Sequence, residues 1–356
     1  MEREEYIEEL SKELNVLPKT DLDIFNAFSP FVKDVDTLKN IIADGMLQYE
    51  YAKYLKDIKN TRFESSLLSL VKLFRNSLAV DSTLAIEIFV QDFSQISKGL
   101  QNITQLGYLH DSKKEIERLD LFAKYSFMQL GNILEGTHKC FIQLFYNLIN
   151  ILSEKKIMKK SFGDAVQALV AFEDSFQYLF KDALYGIEIS QWRNIANHHS
   201  YSLTSDNKIE MTYGRNKKHS ITRVQLEEIF IILDTIGYTM KIAHTLIGID
   251  NINALSEKIN AKSFIDDDTI IAQVVETSKY YGYQTMKCTN QGGKWMVTVN
   301  EEVAIPFNKE KVIAYITTIT KFTTPDVVLE IFDCCGHMQI SAKIENRKLL
   351  IQRMPT

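Results

Sequence analysis

Proline and glycine are scarce along this chain, at 5 and 14 of 356 residues. Tight turns and bulges draw on these two residues, so a β-rich architecture is poorly provided for and long helices are the default. Apolar residues recur three and four positions apart through the first 110 residues, as in Leu67, Leu68, Val71, Leu73 and Phe74. That is the period of a helix with one face in a core. The spacing predicts helices near 4–14, 20–28, 34–58, 61–79 and 83–99, with Pro18 and Pro30 at boundaries, where a missing N–H does least harm. No chemical motif stands out in this region, which reads as a helical scaffold or docking domain.

A second helical block is expected over 111–250. Ser112-Lys113-Lys114-Glu115 has the form of a capping box. Beyond it Ile116, Leu119, Ala123, Leu130, Leu134, Phe141, Leu144, Phe145, Leu148 and Leu152 trace one long amphipathic helix, with Gly131 and Gly136 as markers of a kink. Ser161-Phe162-Gly163-Asp164 opens another helix, and a shorter one follows Gly186. Strand-like residues 207–213, a turn around Gly214 and a last helix from about 222 to 247 complete the block, a bundle with a short β-hairpin. After Asn251 the pattern changes to helix, strand, strand, written twice: 269–281, 283–289 and 294–299, then 308–322, 327–332 and 338–345. This predicts an α+β domain with helices on one face of an antiparallel sheet. The expected chain is therefore mainly α and in three parts: a helical region 1–110, a helical domain 111–250 and an α+β domain 251–356.

The formal net charge of -5 provides no global positive field, so any contact with nucleic acid must rest on a local basic surface. Apolar residues at 45% and charged residues at 24% are the balance of a globular protein rather than a disordered one. The acidic start, Met1-Glu2-Arg3-Glu4-Glu5, argues against a secretory signal, and no apolar run suggests a membrane span. Cys140, Cys288, Cys334 and Cys335 lack the spacing of a disulfide framework, so a reducing cytoplasm is the expected compartment.

The constellation with chemical potential is Arg193-Asn194-Ile195-Ala196-Asn197-His198, followed by His199, Ser200 and Tyr201. On a helix, Asn194 and His198 share a face, as do Arg193 and Asn197, whereas Arg193 and His198 point roughly 140° apart. One phosphate can meet both only if the helix end loosens or if a second protomer supplies one of them. These residue types suit RNA cleavage by the ribose 2′-hydroxyl. A histidine can take up and return a proton near neutrality, and an arginine can hold a phosphate oxygen as charge builds on it. The asparagine can donate to the phosphate or orient the imidazole. No metal or other cofactor is called for. The competing structural reading makes His198 and His199 the end of a helix, bonding its last carbonyls, with Arg193 a surface ion-pair residue.

An arginine followed by a polar residue, with a histidine after four to six intervening positions, resembles the signature of the HEPN family (higher eukaryotes and prokaryotes nucleotide-binding). Arg193-Asn194 with His198 matches the four-residue spacing, and His199 matches the five-residue one. The resemblance covers about 115–250. It implies a helical bundle acting as a metal-independent endoribonuclease and a homodimer, often a toxin or anti-phage effector held by an antitoxin or released by a trigger protein. Arg193 would then be the phosphate clamp, Asn194 the orienting group and His198 the general acid and base, with His199 as alternate. Some such toxins are silenced by modification of a tyrosine two positions after the motif histidine. Tyr201 meets that spacing if His199 is the motif residue. The alternatives are a non-catalytic dimerising scaffold that binds a partner, and a nucleotide sensor.

Lys208, Arg215, Lys217, Lys218 and Arg223 follow the motif and are the candidate RNA contacts, while Lys155, Lys156, Lys159 and Lys160 cluster before it. Tyr185, Trp192, Tyr201 and Tyr213 are candidate stacking residues for an unpaired base. Cys334, Cys335 and His337 are poorly spaced for zinc, and Asp266-Asp267-Asp268 reads as an acidic helix start.

Overall fold

Helical periodicity becomes helix through most of the described residues before 259. The computed structural model describes residues 21–43, 47–93, 95–96, 99, 116–258, 271, 274, 278, 283–291, 294–301, 312, 316, 327–332, 337–345 and 348–353. The expected helix at 4–14, the capping box at Ser112, Asp266–Asp268 and the Cys334-Cys335 pair lie outside these residues. The chain divides into a helical unit within Lys19–Asn260 and a second unit within Ala261–Thr356.

The helical unit runs α1 (Asp21–Phe28), α2 (Val35–Ala43), α3 (Gln48–Lys53) with a π-helical turn at Tyr54–Ile58, α4 (Arg62–Val80) and α5 (82–93). It continues with α6 (Leu119–Ile133), a π-helical turn at Leu134–His138, α7 (Lys139–Leu152), α8 (Phe162–Phe172), α9 (Asp174–Phe180) and α10 (Ile189–His198). Then come β1 (Tyr201–Leu203), β2 (Ile209–Tyr213), β3 (Lys217–Ile221), α11 (Arg223–Asp250) and α12 (Ile252–Lys258). Ser161 caps α8 through Asp164 N–H, and Thr222 and Gln225 form a complete capping box on α11. The kink expected at Gly131 and Gly136 is the π turn between α6 and α7. The hairpin has gained a strand: β1, β2 and β3 form an antiparallel three-stranded sheet.

The boundary drawn at residue 110 does not separate two cores. Leu67, Leu70 and Phe74 of α4 join Phe141, Leu144 and Phe145 of α7 and Leu233 and Leu246 of α11 in one cluster. Polar links reinforce it. Asp250 accepts hydrogen bonds from the Lys33 and Asp34 N–H groups and an ion pair from Arg75 at 2.8 Å, while Lys241 meets Glu50 and Lys53 meets Asp234 at 2.7 Å each. Periodicity tells which face of α4 is apolar, but not which helices will cover it. The second boundary also moves, since Leu255 of α12 belongs to this core. α11 is the one described helix long and apolar enough to cross a bilayer. Yet 72% of its apolar window is buried inside the unit, the position of a core helix.

The second unit holds a five-stranded sheet in the order β4 (Tyr283–Gln291), β5 (Lys294–Glu301), β6 (Val327–Phe332), β7 (Met338–Glu345), β8 (Lys348–Arg353). Helical residues Val274, Val312 and Ile316 join Trp295, Val297, Val299, Leu329, Ile331 and Ala342 in its core. The α+β expectation therefore stands, with two corrections. β5 and β6 pair in parallel, so the sheet is mixed rather than antiparallel. The 25-residue stretch between them is long enough for the crossover that parallel strands need, on the order of a dozen residues or more. A fifth strand, β8, breaks the twofold helix–strand–strand pattern.

Candidate functional site

α10 is fixed from three sides. Ile189, Trp192, Ile195 and Ala196 are buried along one stripe, against α6, α8 and β2. The Trp192 indole N–H donates to Leu184 O at 3.3 Å, and Gly214 N–H at the β2–β3 turn donates to the Gln191 side chain at 3.1 Å. α6 passes close to α10 at Gly131, where a Cβ would stand 2.7 Å from Asn197 Oδ1. The remaining faces carry the motif. Trp192 is fully buried and packs as core, so it is not a stacking residue.

Arg193 meets a partner that the sequence did not single out. Its Nε and Nη2 both bond one carboxylate oxygen of Glu135, in the π turn after α6. Asn197 Nδ2 donates to the same oxygen at 3.4 Å, and Lys139 Nζ lies 2.7 Å from the other. The Phe162 ring lies below the guanidinium, 5.9 Å away. Arg193 and Glu135 are each 30% exposed, so the pair sits at the surface with one side in water. The free edge of the guanidinium, Nη1, donates to Asn194 Oδ1 at 3.4 Å. Burial raises the Glu135 carboxyl, but hydrogen bonds and charge from Lys139 and Arg193 outweigh it and hold the group below its ordinary value. Glu135 had one signal in the sequence: an acid four residues before a lysine, beside a glycine at a helix break.

The π turn is itself anchored. His138 is buried, with Nε2 2.9 Å from Leu233 O on α11 and Nδ1 3.4 Å from Ile133 O. The first distance fits an N–H donor on Nε2. The turn that presents Glu135 is thereby tied to the longest helix of the unit.

His198 occupies different surroundings. α10 stays α-helical to His198, and His199 then turns left-handed at φ 52°. Ser200 N–H bonds Ile195 O at 3.1 Å and His199 N–H bonds Ala196 O at 3.4 Å, so backbone rather than imidazole closes the helix. The helix end does not loosen. Arg193 and His198 keep the ~140° separation of a straight helix, and the structure brings Arg193 and Asn194 together but not Arg193 and His198. His198 and His199 are exposed, and among the described residues His198 has no hydrogen bond or ion pair. The His199 ring stands edge-on to Tyr201 at 6.3 Å, and Tyr201 stacks on Phe127 at 4.2 Å. Burial pushes the Tyr201 phenol up.

The candidate RNA contacts divide. Lys208 pairs with Asp206 at 2.8 Å and Lys218 with Glu210 at 2.7 Å. Arg223 pairs with Glu227 at 3.1 Å, donates to Ile116 O at 2.6 Å and lies over the Phe122 ring at 4.2 Å. These contacts make Arg223 a staple between α11 and the segment before α6. Arg215 lies in the exposed β2–β3 turn and Lys217 opens β3 after it. Tyr185 donates to Glu228, and this bond with burial and the Glu228 charge pushes its phenol up to about 12. Among the described residues no group of three or more His, Cys, Asp or Glu could hold a metal ion. Comparison with protein-family models, with curated proteins and with solved structures finds no match to the chain.

Proposed function

We propose that the helical unit is a HEPN-type, metal-independent endoribonuclease whose site is completed by a second copy of the chain. The observation that carries this reading is the geometry of α10. Arg193, with Asn194 beside its Nη1 edge, and His198 all reach solvent on one rigid helix, yet they point to different sides of it. One protomer would supply the Arg193–Asn194 clamp and the other His198. His198 takes the proton of the ribose 2′-hydroxyl while O2′ attacks phosphorus, and the P–O5′ bond breaks with return of a proton to the leaving oxygen. A 2′,3′-cyclic phosphate and a 5′-hydroxyl result. Arg193 and Asn194 hold the phosphoryl oxygens as their charge grows. Glu135 and Asn197 fix the guanidinium plane, and His138 fixes the turn that carries Glu135. By analogy the protein acts in the cytoplasm as a toxin or anti-phage effector, with the second unit answering to an antitoxin or trigger.

A non-catalytic dimerising scaffold has one observation in its favour, because Glu135 already neutralises Arg193. Mixing separates the two readings. Labelled RNA in EDTA is incubated with wild type, with Arg193→Ala, with His198→Ala and with the two variants co-refolded. A shared site predicts inert single variants and recovery in the mixture, where one of the two sites of each heterodimer is intact. Inertness of wild type together with all variants, in dimers and with trigger fractions added, rejects the nuclease.

A further inference from the structure

From the basic segments on either side of the motif we infer that the loop joining α7 to α8, residues 155–160, is the surface along which the RNA strand runs beside the cleavage point. The inference rests on the nuclease reading above and gives its substrate a path. The loop holds Lys155, Lys156, Lys159 and Lys160, all exposed, and its one acid is Glu154, directly before them. Ile157 packs partly against the core and Met158 stays 49% exposed, so the lysines stand on an anchored segment.

The far end of the loop leads to the Arg193 clamp. At its far end Ser161 caps α8, and the next residue, Phe162, carries the ring beneath the Arg193 guanidinium. On its flank Lys159 acts electrostatically on Asp92 and on Cys140, and Cys140 follows Lys139, which bonds Glu135. Among the described residues Lys155, Lys156 and Lys160 form no ion pair, so their charge is available to phosphates. The segment after the motif differs, because Lys208, Lys218 and Arg223 each have a carboxylate partner. A loop of exposed lysine heads suits the backbone of a single strand rather than a particular base.

The test uses full-length His198→Ala protein, which keeps RNA intact, and a fluorescent 20-nucleotide single-stranded RNA titrated across a range of KCl. In this background a loop variant carries Lys155→Ala, Lys156→Ala, Lys159→Ala and Lys160→Ala. A control carries Lys208→Ala, Arg215→Ala, Lys217→Ala and Lys218→Ala. For four phosphate contacts at ~0.7 each, the loop variant should flatten the slope of log affinity against log salt by about 3. The control should flatten it by less than about 1.5, the share of Arg215 and Lys217. Equal thermal melts of the variants exclude misfolding as the cause. A loop variant that keeps the parent slope overturns the inference while RNA binding itself stands. A parent without salt-dependent RNA binding overturns both this path and the nuclease reading.

Discussion

The helical unit places histidines in two contrasting regions. His138 and His244 lie in its interior, while His198 and His199 stand at the surface where α10 ends. His244 stacks on Phe89 at 4.3 Å and meets Phe141 edge-on at 5.8 Å, with no hydrogen-bond partner for Nε2 among the described residues. Burial drives its pKa down to about 3. Burial also lowers His138, against the opposing pull of its two carbonyls and Asp234. Both interior rings are therefore neutral structural groups, and the proposed nuclease reading assigns proton transfer to the surface pair. The amino-acid type is the same in each place, and burial sets the interior pair apart.

That division can be broken by mutation in both regions. The largest expected effect is on cleavage: His198→Ala should lower the rate by two to four orders of magnitude, the span of a lost general acid and base. Its thermal melt should stay unchanged, because the side chain is exposed. A melt lowered together with the rate would move His198 into the structural class. The mirror-image variant is His244→Phe, which keeps the aromatic cage without a titrating ring. Between about 3 and the ordinary 6.5 the unfolded chain binds a proton that the folded chain excludes, so wild-type stability falls as pH drops through this window. The loss attributable to His244 is on the order of 4 kcal/mol. Denaturant titrations of His244→Phe should show a flatter profile below pH 6.5, and an unchanged slope would contradict the burial argument.

Two glycine substitutions sharpen the comparison at smaller scale. Gly99→Ala pushes a Cβ to 2.5 Å from the Gly136 carbonyl oxygen and 3.0 Å from Thr137 Cα, in the π turn that ends at His138. Backbone must move, so a destabilisation of about 1–3 kcal/mol is expected, read as a lower melting temperature. Gly131→Ala meets only the tip of the exposed Asn197 side chain. Asn197 can swing aside, and alanine is the better helix former by up to ~1 kcal/mol. Stability should therefore change by less than about 1 kcal/mol. Amide NMR of Asn197 should show its release from Glu135. A Gly131→Ala cost as large as that of Gly99→Ala would mean that α6 and α10 cannot adjust.

Much of this is legible in the sequence. The caps at Ser161 and Thr222, the break near Gly131 and Gly136, and the strands at 294–299 and 327–332 follow from local chemistry, which acts between residues a few positions apart. The merging of residues before 110 with the helices after 118 was not legible, nor was the parallel pairing of β5 with β6. Amphipathic faces and strand patterns carry no label for a distant partner. The candidate site divides in the same way. Its motif residues were readable as a spacing, but Glu135 reaches Arg193 across 58 positions, a contact that only the approach of α6 to α10 creates.

The sequence by itself determined that the chain would be mainly helical, that a sheet would close it, and that Arg193, Asn194 and His198 would ride on one helix. Only the tertiary structure decided that Arg193 is held by a carboxylate, that Trp192 packs in the core, and that Lys208 and Lys218 pair with acids while, among the described residues, Lys155, Lys156 and Lys160 do not. The reason is physical: hydrogen bonds and side-chain rotamers within a helix turn are set by near neighbours, whereas burial and ion pairing depend on which distant surfaces displace water together.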